Sequence, residues 1–285
     1  MRALVIGCGY LGRRVATTWR SQGWQVSALT RTNHNATELA ALGIEPIVGD
    51  VVSAETLQAL PAADVVLYAV GYDRQAANSK RDVSVRGVAN VLEKLAPSLR
   101  RLLYISSTSV YGQDGGEWVD ETSETNPAGE DGQIVLAAEN AVRQMCPAEV
   151  ATVLRFSGIY GPGRLLRRID VVKRGEPIAA NPDGFLNLIH VDDGAAIVCR
   201  LAERDVPQPT YLITDDRPML RREYYSLLAR LLGAGEPTFQ FTPSAAGRGL
   251  NKRCSNARVK AELGDMLRFP TIESGLPQAL GHDAV

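Results

Sequence analysis

Through its first half the chain alternates short, continuous apolar runs with stretches whose apolar residues recur at helical spacing. Ala3-Leu4-Val5-Ile6 reads as a buried strand, and Gly12 to Gln22 carries the periodicity of one helix face. Gln25 to Leu29, Ile44 to Val48, Asp64 to Val70 and Arg101 to Ile105 read as the next four strands, with a helix from about Asp82 to Leu95 before the last. A helix from Gly132 to Met145 then leads into a sixth strand, Ala151 to Leu154. Strands apolar throughout, rather than alternating, are covered on both faces, and their alternation with helices builds a parallel sheet from βαβ units. The predicted class is α/β with a doubly wound parallel sheet. After Arg155 the rhythm breaks into Gly/Pro-punctuated pieces such as Tyr160-Gly161-Pro162-Gly163 and Asn181-Pro182-Asp183-Gly184, with two later helices, Asp193 to Glu203 and Leu220 to Leu232. These irregular pieces are not expected to extend the sheet. They predict a small discontinuous C-terminal lobe from 156–190 and 214–285, against a sheet domain of 1–155 rejoined by about 191–213.

The first strand runs straight into Gly7-Cys8-Gly9-Tyr10-Leu11-Gly12, a G-x-G-x-x-G between strand and helix. The first glycine permits the tight turn, the second lets backbone approach a pyrophosphate, and the third lets helix and strand pack closely. The helix start adds free N–H groups and a positive dipole end. This strand–turn–helix context predicts a Rossmann dinucleotide site that includes Tyr10 and Leu11. Cofactor choice is set where the second strand ends. An NAD site usually carries Asp or Glu there for the ribose 2′-hydroxyl. Here the chain reads Ala28-Leu29-Thr30-Arg31, with no carboxylate before Glu38. Arg31 suits a 2′-phosphate, so NADP(H) is predicted over NAD(H), the alternative being that Arg31 is an ordinary exposed loop arginine.

Charge and composition narrow the partners. Thirty-one Lys+Arg against 32 Asp+Glu leave a net charge of -1, which supplies no cationic field for nucleic acid. Residues 1–154 hold 13 basic and 17 acidic residues, and 155–285 hold 18 and 15. That asymmetry is a weak pointer to an anionic small-molecule substrate. No apolar stretch approaches the ~20 residues of a membrane span. Met1 to Gly7 reads as neither a signal nor a transit peptide. Cys8, Cys146, Cys199 and Cys254 are scattered without Cys-x-x-Cys or a neighbouring His, as in a reduced cytoplasmic protein without a metal site.

Further pieces follow in order. They are Gly49-Asp50-Val51, Ala69-Val70-Gly71, Ser106-Ser107-Thr108-Ser109-Val110-Tyr111-Gly112, Asp120-Glu121 with Asn126-Pro127, Leu154-Arg155 to Gly163, Ile189-His190-Val191-Asp192-Asp193, Leu263-Gly264 and Gly275-Leu276. Taken in this order they resemble the extended short-chain dehydrogenase/reductases, the NAD(P)-dependent epimerase/dehydratase family. The resemblance implies that Asp50 and Val51 contact the adenine, that Ala69, Val70, Gly71 and Ser106 line the cofactor, and that Ser107 is the catalytic Ser/Thr. The family's catalytic pair is Tyr-x-x-x-Lys, in which a nearby cation lowers a phenol pKa from ~10 so that it moves a proton near neutrality. Two anchors locate it: an acidic residue eight positions after the tyrosine (Glu139) and a proline four before it (Pro127). Both lead to Asp131, with Val135 at the lysine position, and no tyrosine lies between Tyr111 and Tyr160. In Asp82 to Leu92, similar to the family's N-V-x-G-T-x-N stretch, Ser84 replaces the expected asparagine.

Replacement acids must therefore be sought elsewhere. Tyr72 and Tyr111 are the candidates beside Ser107; the alternative for Tyr111 is packing, and for Ser107 a hydroxyl that caps strand ends. Thr108, Arg155, Ser157, Arg164 and His190 are candidate substrate contacts, His190 and the arginines being equally readable as structural. Asp192 and Asp193 read as caps of the helix that follows. Two functions stay open. One is an atypical NADP(H)-dependent epimerase, dehydratase or reductase acting on a small sugar or sugar-phosphate derivative; the other is a non-catalytic NADP(H)-binding sensor or scaffold. Apolar Leu136, Ala137, Ala138 and Ala141 permit a homodimer without requiring one.

Overall fold

The computed structural model describes residues 1–75, 77–95, 99–204, 208–241 and 251–281, without the side chains of 166 and 167. The chain runs β1 (Arg2–Ile6), α1 (Tyr10–Ser21), β2 (Gln25–Thr30), α2 (Asn33–Ala41), β3 (Glu45–Val48), β4 (Val65–Tyr68), α3 (Gly87–Leu95) and β5 (Leu102–Ser107). It continues through β6 (Glu117–Val119), α4 (Glu130–Met145), β7 (Ala151–Phe156), β8 (Gly158–Tyr160), α5 (Leu166–Lys173), β9 (Phe185–Leu186), β10 (Leu188–His190) and α6 (Val191–Ala202). The last elements are β11 (Thr210–Ile213), β12 (Met219–Leu220), α7 (Arg221–Leu232), β13 (Lys252–Cys254), α8 (Ala257–Leu263) and α9 (Ile272–Ala279).

A seven-stranded sheet in the order β11-β7-β5-β4-β1-β2-β3 forms the frame, giving the predicted doubly wound α/β Rossmann class. After β1 the chain builds outward through β2 and β3, then returns to lay β4 on the other side of β1. Both neighbours pair with β1 in parallel, and Ile6 stands level with Leu29 on one side and Tyr68 on the other. The C-terminal end of β1 is thus the topological switch point, where open α/β sheets bind ligands. All four residues of β4 are buried, as a strand covered on both faces requires.

Residues 1–107, 133–155 and 195–211 form one compact unit, and 108–132, 156–194 and 212–285 form another. Residues 108–132, expected with the sheet domain, group with the second unit. Within 191–213, the stretch expected to rejoin the sheet domain, β11 adds an edge strand beyond β7. Its four residues are all buried, but so short a run carries little periodicity. Helix α2 escaped the sequence reading because its inward face is only Ala36 and Leu39; Thr32 caps it, its Oγ1 accepting from Asn35 N at 3.2 Å. The helix predicted from Asp82 opens as a wide π-type turn over Asp82–Arg86 before becoming α3.

The second unit is held by short strand pairs that join distant stretches of chain. β8 pairs with β10 and β6 with β13, both in parallel, and β9 with β12 antiparallel. Its apolar core includes Tyr160, Leu188, Met219, Tyr224, Leu228, Ile272 and Leu276. Asn187 stitches β13 into place, its Nδ2 donating to Lys252 O at 2.9 Å and its Oδ1 accepting from Cys254 N at 2.7 Å.

Candidate cofactor cradle and reactive side chains

Each glycine after β1 answers to a different steric demand. Gly7 has φ +92, and a Cβ there would lie 2.6 Å from Val70 N and 2.7 Å from Ala69 O. The turn is therefore seated directly on the segment that follows β4. A Cβ on Gly12 would meet Gly7 O at 2.4 Å, so only glycine lets α1 start this close to the turn. Gly9 is the contrast: a Cβ there would meet nothing within 4 Å. Gly9 is also the N-cap of α1 and makes no side-chain cap bond. Open space above Gly9 at the start of α1 fits a dinucleotide pyrophosphate. Leu11 turns its side chain into the core, which leaves only its backbone N–H for a ligand. Tyr10 lies under Arg14, whose guanidinium carbon is 4.5 Å from the ring centre.

The loops after β3 and β2 are fixed by their own contacts. Asp50 is fixed by its own loop, Oδ1 accepting from Val52 N at 3.0 Å and its N–H bonding Thr56 Oγ1 at 2.9 Å. Val51 is buried, and its carbonyl accepts from Asn90 Nδ2 at 2.9 Å. A Cβ on Gly87 would stand 2.7 Å from Val51 Cγ2, which explains why the 82–92 stretch needs glycine there. Arg31, just past Thr30, faces Asp73 with NH2 to Oδ2 at 3.4 Å.

Ser106 and Arg155 prove to be parts of one buried network. Ser106 Oγ donates to Glu139 Oε1 at 2.6 Å. Glu139 is fully buried and takes Arg155 in bidentate fashion, at 3.0 Å from Nε and 2.8 Å from NH2, with Arg143 at 3.1 Å. Burying a carboxylate is tolerable only with such partners. Arg155 is thereby corrected from substrate contact to structural counter-ion. Ser107, next along β5, is half-buried.

The two candidate tyrosines differ. Tyr111 is fully buried and its hydroxyl donates to Asp120 O at 2.7 Å, so its proton serves the fold. Tyr72 is 36% exposed on the segment after β4. In the second unit, His190 is fully buried, with Nε2 2.9 Å from Gln278 Oε1 and Nδ1 accepting from Asp192 N at 3.3 Å. Accepting at Nδ1 puts the ring proton on Nε2. Tyr160 and Phe269 pack on the ring, a structural setting rather than a substrate contact. Asp193 is not a helix cap: its carboxylate accepts from Arg268 N and Phe269 N, both at 2.9 Å. Ser157 is buried with no bond to its hydroxyl among the described residues, and Arg164 is exposed. Thr108 bonds the Cys254 thiol, which burial pushes up to about 12.

Three residues escaped the sequence reading. Glu139 served only as a marker for a missing tyrosine, Asp73 carried no signal, and Lys252 is a lone lysine in Asn-Lys-Arg-Cys. Lys252 is nevertheless buried. Its ammonium donates to Tyr111 O at 3.1 Å, and desolvation holds its pKa below the usual lysine value. No group of three or more His, Cys, Asp or Glu side chains among the described residues is placed to hold a metal. No described helix is long and apolar enough to cross a membrane.

The sequence model of the NAD dependent epimerase/dehydratase family matches residues 3–213. The chain belongs to this family. It is 27% identical over 280 residues to Protein YeeZ of Escherichia coli K12, covering 94% of this chain and 96% of that one. It is 26% identical over 268 residues to a 4-hydroxy-2-methyl-3-oxo-4-farnesyl-3,4-dihydroquinoline-1-oxide ketoreductase of Stigmatella aurantiaca, covering 87% and 80%. A Methylobacillus flagellatus structure named for the NAD-dependent epimerase/dehydratases superposes with TM-score 0.78 at 31% identity, over 98% and 97% of the two chains. The fold is shared with UDP-glucose 4-epimerase of Thermotoga maritima, with TM-score 0.82 at 18% identity over 99% and 98%.

Membership of the NAD dependent epimerase/dehydratase family directs attention to the start of α4, where the sequence reading expected the proton-transfer pair. Asp131 and Val135, at the positions where that pair is expected, occupy the first two turns of α4, Asp131 exposed and Val135 half-buried. Of the residues offered for dimerisation on the same helix, Ala138 and Ala141 pack into the core of the first unit, leaving Leu136 and Ala137 half-buried.

Proposed function

We propose that this protein is an NADP(H)-dependent oxidoreductase of the epimerase/dehydratase type that moves hydride to or from a small, oxygen-rich substrate such as a sugar or sugar-phosphate derivative. The observation that carries the reading is the cradle: Gly7 seated on Ala69–Val70, open space at Gly9, and Arg31 at the end of β2. Gly9 and the first N–H groups of α1 would hold the pyrophosphate, and Arg31 the 2′-phosphate. When bound, the nicotinamide supplies or takes up a hydride. The accompanying proton is assigned to Tyr72 Oη, with Ser107 as the hydroxyl that orients the reacting oxygen. Tyr111 is unsuited, because its hydroxyl is already donated to Asp120. The similarity to a ketoreductase supports carbonyl chemistry, and the scattered cysteines support a reducing, cytoplasmic setting.

Label transfer from isotopically marked NADPH to a panel of sugar phosphates and simple ketones tests this. Transfer that falls at least tenfold in Tyr72→Phe and survives in Tyr111→Phe is expected. A second reading, a cofactor-binding sensor or scaffold, has one observation in its favour: Asp131 and Val135 stand where the proton-transfer pair belongs. Tight NADPH binding with no transfer across the whole panel selects it.

A further inference from the structure

The Arg31–Asp73 ion pair has a placement that goes beyond a surface contact. Arg31 follows β2 and Asp73 follows β4, the two strands flanking β1, and both strands are level with Ile6 at their C-terminal ends. Two strand spacings, about 9.6 Å, separate those ends. The pair therefore runs across the end of β1, past the glycine turn that begins at Gly7. Asp73 is also aimed. Its Oδ1 accepts from Gln75 N at 3.0 Å, which leaves Oδ2 directed at Arg31 NH2, 3.4 Å away. Glu38, the first carboxylate after β2 in sequence, is occupied by Arg13 at 2.7 Å and faces His34 at 3.4 Å.

We propose that Asp73 is a specificity-determining residue of the cradle: it forms an exchangeable strap with Arg31 that a 2′-phosphate must displace and a 2′-hydroxyl leaves in place. This rests on the reading that Arg31 receives the adenosine end of the cofactor. A 2′-phosphate carries more charge than a carboxylate and offers bidentate geometry to a guanidinium, so it wins the exchange. It wins at a cost, because Asp73 must give up its partner and then stand near a second anion. NAD(H) meets no such competition. Asp73 thus damps a preference for NADP(H) that Arg31 would otherwise make steeper.

The test is binding of 2′,5′-ADP, ADP, NADPH and NADH to wild type, Asp73→Asn, Arg31→Ala and the double variant, measured by titration calorimetry. Both side chains are about half exposed, and asparagine keeps the shape and the bond from Gln75 N. Asp73→Asn should tighten 2′,5′-ADP and NADPH by about threefold to tenfold while ADP and NADH stay unchanged. That gain should vanish in the Arg31→Ala background. Unchanged 2′,5′-ADP affinity in Asp73→Asn, equal gains for ADP, or a gain that persists without Arg31 would each overturn the strap. The parent reading fails differently: Arg31→Ala would then leave 2′,5′-ADP affinity untouched.

Discussion

The glycine turn after β1 and the loop that runs on from β5 carry equally legible motifs, yet they do different things with them. In the turn, two glycines answer to backbone, Gly7 against Ala69–Val70 and Gly12 against Gly7 O, while Gly9 faces open space. In the loop, glycine is again dictated by backbone, since a Cβ on Gly112 would lie 1.9 Å from Asn126 O. The side chains between are spent on the fold, with Tyr111 bonded to Asp120 O and Thr108 to the Cys254 thiol. A motif whose letters encode steric room can be read as function from its spacing. A motif whose letters are hydroxyls and phenols cannot, because the same residue type serves a carbonyl in the core or a substrate.

The network behind Ser106 should give the largest effect. Glu139→Ala strands Arg155, which is nearly fully buried, and should cost about 3–5 kcal/mol. A fall in the denaturation midpoint without a change in slope would register it. A wild-type midpoint with impaired substrate binding would restore Arg155 as a substrate contact. Next come the two glycines of the turn. Gly7→Ala combines a backbone clash with a φ that disfavours a Cβ and should destabilise by about 2–4 kcal/mol. Gly9→Ala should leave thermal stability within a degree or two while weakening NADPH at least tenfold, because its methyl intrudes only on the ligand's space. If both variants lost stability equally, Gly9 would be a structural glycine and the cradle assignment would weaken.

The same division explains what the sequence disclosed. The central strands were legible because burial on both faces leaves continuous apolar runs, and the cradle because sterics force glycine at set intervals. Helix α2 was illegible because a surface helix with two buried residues has almost no periodicity. Glu139, Asp73 and Lys252 were illegible for another reason. Their roles lie in partners 16, 42 and 141 positions away, and no local pattern encodes a partner at such distances. His190 shows the converse, a conspicuous motif residue whose ring is enclosed by Tyr160, Phe269 and Gln278.

The second unit also contains a buried carboxyl that titrates. Burial pushes Asp215 up to about 8, its bond from Arg217 N opposing and the charges of Asp216, Glu273 and Asp193 adding to the rise. Its Oδ2 has no hydrogen-bond partner among the described residues. An unfolded aspartate titrates near ~3.9. Between about pH 4 and 8 the native state therefore holds a proton that the unfolded chain has lost. The contribution of Asp215 to stability is greatest below that window, falls by up to about 1.4 kcal/mol per pH unit within it, and levels off above. Asp215→Asn should flatten the slope between pH 5 and 8 in urea titrations. An unchanged slope would mean that the carboxyl is ionised and solvated in the native protein.

Tyr111→Phe should give the smallest effect and the sharpest test of the loop after β5. Removing the hydroxyl leaves Asp120 O without that donor, in a site where the ring is fully buried, for a loss of about 1 kcal/mol. NADPH affinity should not move. Hydride transfer should not move either, since a phenol committed to a backbone carbonyl would have to break that bond to deliver its proton. Tyr72→Phe, on a partly exposed ring, should do the reverse, sparing stability and lowering transfer. If Tyr111→Phe instead kept its melting temperature and lost turnover, the loop would be an active-site loop like those its motif resembles. The contrast with the glycine turn would then rest only on how closed this loop is before substrate arrives.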